Sequence, residues 1–189
     1  HFPAFLRYFQ KSFGNILDMN KDIRIALTGF MGVGKSSVAR HLANMLRCKK
    51  IDLDIFIEGN EGRRIAEIID KDGETEYRRI ETRNLRELLD SSDVRILSLG
   101  GGAWTVQQNR KLLKEHGFTS VWLEASFDHC WRNITFSRKE RPLARNKEKT
   151  MKLFEDRQKI YCLAEWHFVI RPDFTSYDVA RMMKEEIFS

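Results

Sequence analysis

The chain has 189 residues, 42% of them hydrophobic and 32% charged, with a formal net charge of +6. That length and balance suit one globular domain with a sizeable core, and the modest basic excess suits anionic ligands. No stretch approaches the ~18 uninterrupted apolar residues of a membrane span. No basic run alternates with aromatics as a strand-binding groove would, so nucleic-acid binding is excluded as the primary role.

Residues 1–18 hold four of the 13 phenylalanines (Phe2, Phe5, Phe9 and Phe13) at amphipathic helical spacing. They read as an extension outside the core, docking its apolar face on the domain or a neighbour. A membrane-surface anchor or transit remnant is the alternative. Met19, just before the first predicted strand, could be the natural start of a 171-residue chain.

The run from Ile23 to Thr28 predicts a buried strand, and Ser36 to Leu46 a helix. Between them, Gly29-Phe-Met-Gly-Val-Gly-Lys-Ser36 is a full match to G-x-x-x-x-G-K-[ST]. Glycines at 29, 32 and 34 let the backbone curl so that successive N–H groups, including those of Val33 and Ser37, face phosphate oxygens. The helix N-terminus adds partial positive charge. Lys35 reaches the β- and γ-phosphates in such loops, and the Ser36 hydroxyl ligates Mg²⁺.

Residues 49–54 predict a second strand carrying Asp52 and Asp54 on one face. Beside a phosphate loop, one carboxylate could hold Mg²⁺ through water and the other accept a substrate hydroxyl. An ordinary surface pair at a strand end is the alternative. Residues 55–89 are charged and helix-rich, broken at Asp72-Gly73, and too long for a simple crossover. They read as an inserted subdomain over the active-site side of a sheet. A third strand over 94–99 runs into Gly100-Gly101-Gly102, which allows a ligand close to backbone.

A helix follows from about Thr105 to His116, then a strand over 120–124 and a helix over 126–136. Residues 138–147 are basic and broken by Pro142, the composition of a mobile lid carrying arginines to phosphate. A helix from Thr150 to about Leu163, a strand over 166–170 and a helix over 176–187 complete the chain. The βα alternation implies a parallel sheet covered on both faces, with ligands at the carboxyl ends of its strands. Cys48, Cys130 and Cys162 are odd in number and form no C-x-x-C, so neither a disulfide framework nor a zinc site is indicated, and a reducing cytoplasm fits.

The ordered set of motifs resembles shikimate kinase over roughly residues 22–188. The pieces are the phosphate loop, Asp52-Leu-Asp54 with Ile57-Glu58, Gly73-Glu with Tyr77-Arg78 and Glu81, Ser98-Leu-Gly-Gly-Gly-Ala103 with Asn109-Arg110, Arg141-Pro-Leu143, and Arg157 with Tyr161. The resemblance implies an α/β P-loop kinase fold: a three-layer αβα sandwich with a central parallel sheet, a helical substrate-binding insertion at 54–89 and a mobile lid at 132–147. It implies transfer of the ATP γ-phosphate to the 3-hydroxyl of shikimate, in aromatic amino-acid biosynthesis, by a cytoplasmic monomer using Mg²⁺.

By motif match, Arg78 and Arg157 would bind the shikimate carboxylate, and Asp54 would orient or deprotonate the attacking hydroxyl. Gly100, Gly101 and Gly102 would abut the ring. Ser36 and Asp52 would serve Mg²⁺, and Lys35 and Arg141 would neutralise the transferring phosphoryl group. Arg132, Arg171 and Pro172 would lie near adenine. The chain departs from the family pattern at Lys159, Cys162, Leu163, Glu165 and Trp166, where altered packing is expected. Two other readings remain: a kinase of another small hydroxy acid such as gluconate, with different carboxylate and hydroxyl readers, and a non-catalytic nucleotide-binding relative, which would lack Lys35, Ser36, Asp52, Asp54 or Arg141.

Overall fold

The computed structural model describes residues 23–137 and 141–188. The amphipathic helix expected at 1–18 lies outside the described residues. Five parallel strands run in the order β2-β3-β1-β4-β5: β1 Arg24–Thr28, β2 Lys50–Asp52, β3 Ile96–Ser98, β4 Phe118–Glu124 and β5 Trp166–Val169. The centre of the sheet is apolar on both faces. Ile25, Ala26, Leu27 and Thr28 of β1 are all fully buried, as a doubly covered parallel strand requires.

Eight helices are described: α1 Lys35–Leu46, α2 Leu53–Glu61, α3 Ile65–Asp72, α4 Glu74–Ser91, α5 Gln107–Glu115, α6 Phe127–Phe136, α7 Lys147–Tyr161 and α8 Ser176–Ile187. The right-handed rule for parallel crossovers places α1 on one face of the sheet and α4, α5 and α7 on the other, and α8 lies on the α1 side by packing against it. α1 and α8 pack along each other, with the His41 and Tyr177 rings edge-on at 5.6 Å. Local chemistry sets the ends. Thr175 and Asp178 form a capping box at the start of α8. Arg47 adopts the left-handed conformation (φ 49°) that closes α1.

The second strand is shorter than expected, and this moves one candidate residue. β2 ends at Asp52, whose carboxylate accepts the Asp54 N–H at 3.1 Å and caps α2. Asp54 is therefore in the first turn of a helix, not on a strand beside Asp52. The i, i+2 strand reading fails because an aspartate three residues before a helical apolar run is a better cap than a strand residue. Other shifts have the same origin. α7 starts at Lys147 because the Asn146 side chain accepts from Lys149 N at 2.8 Å. A short 3₁₀ turn, Ala103–Thr105, precedes α5. In the expected lid region, residues through Phe136 belong to α6 and Pro142–Ala144 form a 3₁₀ turn.

The departures from the family pattern lie around β5, the sheet edge. Glu165 has a structural task there: one carboxylate oxygen accepts from Ser120 N at 2.7 Å and from Ser120 Oγ at 3.0 Å. It satisfies a β4 donor just beyond the reach of β5, whose pairing begins at Val121 with Trp166. Glu165→Ala is expected to destabilise the fold by about 1–3 kcal/mol, the cost of an orphaned donor next to a buried strand. Urea unfolding should show a lower midpoint at unchanged slope.

Candidate active site

β1 and β3 are neighbours, and Leu99 N, just past the end of β3, donates to Leu27 O near the end of β1 at 3.0 Å. The two glycine-rich loops that follow therefore leave the sheet side by side. They floor a cleft of about 860 Å³ at the carboxyl end of the sheet. The insertion helices α2 to α4, the end of α6 and the turn after Arg141 wall it in.

The first loop is held from below. Gly29 has φ +136°, and a Cβ there would stand 2.6 Å from Leu123 O. Gly32 has φ +83°, and a Cβ would stand 2.4 Å from Cys130 O. Each glycine is required twice over, by conformation and by space. Phe30 is buried beneath the loop, edge-on to Phe154 of α7 at 5.1 Å. Asn133 of α6 donates to Gly32 O at 2.8 Å, tying the loop to that helix.

Lys35 is 8% exposed and folds back over its own loop, donating to Gly29 O at 2.8 Å and Phe30 O at 3.0 Å. Burial lowers its pKa to about 8, with Asp54 pulling it up and Arg141 pushing it down. Ser36 Oγ donates to Asp52 Oδ2 at 2.5 Å, while Asp52 Oδ1 caps α2. A hydroxyl and a carboxylate at the mouth of a phosphate loop are hard oxygen donors, the set that suits Mg²⁺ completed by water and phosphate.

The second loop meets the charged side chains. A Cβ on Gly100 would lie 2.6 Å from Asp54 Oδ1 and 3.2 Å from Glu81 Oε1. One on Gly102 would lie 2.2 Å from Arg78 Nη2. Arg157 is 6% exposed, donates from Nη1 to Gly101 O at 3.2 Å, and stands 6.0 Å over the Phe30 ring. Tyr161, one turn along α7, donates its hydroxyl to the same carbonyl. Burial pushes that phenol up to about 12, so it stays a donor.

Arg78 is bracketed by carboxylates, Glu81 at 2.8 Å and Glu74 at 3.0 Å. Burial opposes its charge, but Glu81 more than compensates and holds the guanidinium firmly protonated. Burial also lowers the pKa of Arg141, and its Nε is buried with no hydrogen-bond partner among the described residues. The cleft thus offers five cationic side chains, Lys35, Arg64, Arg78, Arg141 and Arg157, around a curled backbone, with Asp52 and Asp54 between them.

The sequence profile of the family "Shikimate kinase" matches residues 31–187. A shikimate kinase from Streptococcus thermophilus is 39% identical over 161 residues, covering 84% of this chain and 96% of that protein. Among solved structures, shikimate kinase from Acinetobacter baumannii in complex with shikimate superposes with a TM-score of 0.81 at 31% identity, covering 91% and 96% of the two chains. That from Bacteroides thetaiotaomicron gives 0.75 at 26% identity, covering 86% and 97%.

The chain belongs to the shikimate kinase family. It is a kinase of the α/β P-loop fold, with the five-stranded parallel sheet and flanking helices of its relatives. Most of the residues singled out by the family motifs meet in the one cleft: Gly32, Gly34, Lys35, Ser36 and Ser37 from the first loop, Asp52, Asp54, Arg78, Arg141 and Arg157 around it, and Gly100 to Gly102 as its floor. Val33 is buried in the loop, 4% exposed.

Three expected adenine neighbours stand apart. Arg132 is exposed on α6 and does not line the cleft, where the next residue, Asn133, does. Arg171 and Pro172 line a second cavity of about 440 Å³ with Ser126, His129 and Gln158. Tyr77, Glu81 and Asn133 were given no role from the sequence. Glu81 and Tyr77 fall inside the matched motif around Arg78, so their position was visible. Their task was not, because it depends on Gly100 arriving from another strand.

The state of Lys35 is expected to make nucleotide binding pH-dependent. Burial favours the neutral amine, whereas a phosphate beside it would favour the ammonium, so binding would raise the lysine pKa and take up a proton near and above pH 8. Nucleotide affinity is expected to fall as pH rises past about 8, by up to about tenfold per pH unit. Titration calorimetry at pH 7 and pH 9, in buffers of different ionisation enthalpy, should register both the weaker binding and the proton uptake.

Proposed function

We propose that this chain transfers the γ-phosphate of ATP to the 3-hydroxyl of shikimate, with Mg²⁺. The observation that carries the reading is the grouping of Arg78, Arg157 and Asp54 around Gly100–Gly102 at the mouth of the phosphate loop. Two guanidinium groups and one carboxylate complement an acceptor that has one carboxylate and several hydroxyls. A shikimate kinase with shikimate bound is among the solved structures this chain resembles.

In this reading the glycine loop and Lys35 hold the nucleotide phosphates. Lys35 leaves the carbonyls of Gly29 and Phe30 when phosphate oxygens replace them. Arg78 and Arg157 take the shikimate carboxylate, and the bare backbone of Gly101 and Gly102 lets the ring approach. Asp54 accepts a hydrogen bond from the attacking hydroxyl, orients it, and receives its proton as the new P–O bond forms and the bond from the γ-phosphorus to the β–γ bridging oxygen breaks to release ADP. Arg141, whose Nε has no partner among the described residues, neutralises charge on the transferring group. Ser36 and Asp52 would hold Mg²⁺, which when bound supplies charge neutralisation between the phosphates. Phosphoryl transfer asks the protein mainly for this positioning and neutralisation.

A coupled ADP-release assay tests the reading, with shikimate expected to give turnover and gluconate little or none. Turnover with gluconate and none with shikimate would overturn it. Asp54→Asn is expected to lower kcat by about 10²–10⁴-fold while ATP still binds. Unchanged turnover would remove Asp54 from the reaction. Gly102→Ala displaces the flexible Arg78 guanidinium rather than backbone. Its effect is expected on KM for shikimate, about tenfold or more, the worth of one charge-assisted hydrogen bond, with the melting temperature nearly unchanged.

A further inference from the structure

Tyr77 is 4% exposed on α4 and lines the cleft. Its hydroxyl donates to Glu81 Oε1 at 3.2 Å, one turn along the helix. The other oxygen of that carboxylate, Oε2, accepts from Arg78 Nη1 at 2.8 Å. The Arg78 guanidinium also stands 5.0 Å over the Tyr77 ring. Tyr77 therefore reaches Arg78 twice, by its ring and through Glu81. A phenylalanine would preserve the ring contact and the packing volume. Only the bond to Glu81 uses the oxygen.

Glu81 is 0% exposed, and its neighbours are a mixed group. Tyr77 and Arg78 face it from α4, and Asp54 from α2. From the sheet side comes the backbone of Gly100, where an added Cβ would meet both the Asp54 and Glu81 carboxylates. A buried carboxylate near a second carboxylate tends to take up a proton, and a protonated Glu81 holds an arginine poorly.

We propose that Tyr77 is a positioning residue for the acceptor site: by donating to Oε1 it fixes the Glu81 carboxylate, and through it the Arg78 guanidinium, across Gly102 for the acceptor carboxylate. The inference rests on the shikimate reading above. The electrostatics agree with the geometry. Burial raises the pKa of Glu81 and Asp54 adds to this, while Arg78 and the Tyr77 hydroxyl oppose it. Burial and the Glu81 charge keep the Tyr77 phenol protonated, so it remains a donor. Removing the hydroxyl lets Glu81 take its proton at higher pH, and Arg78 loses a partner there.

The test is steady-state kinetics on the full chain, comparing wild type, Tyr77→Phe, Glu81→Gln and the double variant. Tyr77→Phe is expected to raise KM for shikimate about three- to tenfold, in the range of one typical net hydrogen bond acting through Glu81. KM for ATP should stay within about twofold. The acid limb of kcat/KM for shikimate should move to higher pH. In the Glu81→Gln background the shift of that limb should be absent, and the added Tyr77→Phe change should do much less than it does alone. The proposal is overturned if shikimate turnover is seen in the wild type and Tyr77→Phe matches it in KM and pH profile. It is also overturned if both KM values rise alike, as from general loosening, or if the effect persists undiminished with Gln at 81. A wild type that does not turn over shikimate would defeat the acceptor reading first, and this inference with it.

Discussion

The hydrogen bond from Leu99 N to Leu27 O governs the site more than any side chain does. It extends the β1–β3 pairing one residue past the end of β3, so both glycine loops start from adjacent points. The loops then nearly touch: a Cβ on Gly101 would lie 3.3 Å from Met31 N. At that separation the floor of the cleft is made of backbone, and every chemical group must enter from the walls. Lys35 rises from α1, Asp54 from α2, Arg78 from α4 and Arg157 from α7. Parallel pairing at the point where strand order reverses makes the cleft, and helices following other strands furnish it.

Furnishing the cleft leaves an electrostatic strain that the fold tolerates and a ligand relieves. Lys35 and Arg157 are buried, and Arg141 is half-buried, its Nε without a partner among the described residues. Lys35 answers by losing affinity for its proton, and Glu81 by gaining some. Ions removed from water need partners that this protein only partly supplies. In the proposed reading, polyphosphate and a carboxylate are the missing counter-charges, so ligands should stabilise the folded chain by binding it alone. Asp52 shows the economy of the arrangement, one oxygen ending a strand and starting a helix while the other holds Ser36.

Far from the cleft the chain diverges at little expense. Lys159, Cys162 and Leu163 are exposed at the end of α7, and none lines the cleft. Glu165 binds the β4 backbone. Trp166 stacks on Phe168 along the sheet edge, with ring centroids 6.3 Å apart. These positions answer to the packing of one edge strand, not to the ligand, and their spacing from Arg157 leaves the α7 face that carries Arg157 and Tyr161 intact.

Much of the architecture was legible in the residues alone, because periodicity, glycines and caps are local signals. The parallel sheet, the phosphate loop and the helical insertion follow from apolar runs and punctuation. So do the candidate roles of Lys35, Asp54, Arg78 and Arg157, once ordered motifs are added. Three things waited for the fold. Asp54 belongs to a helix, since the capping bond from Asp52 outweighs strand alternation at that turn. Arg132, Arg171 and Pro172 stand outside the main cleft, where only the packing of α6 and the β5–α8 loop could put them. Glu81 and Tyr77 acquire a task only because Gly100 arrives from β3, some twenty residues away in sequence, to bring Asp54 and Glu81 against one backbone. Sequence by itself determined which groups the protein owns and the local turns that present them. Tertiary structure decided which of them share a low-dielectric space, since that depends on strand pairing between distant segments.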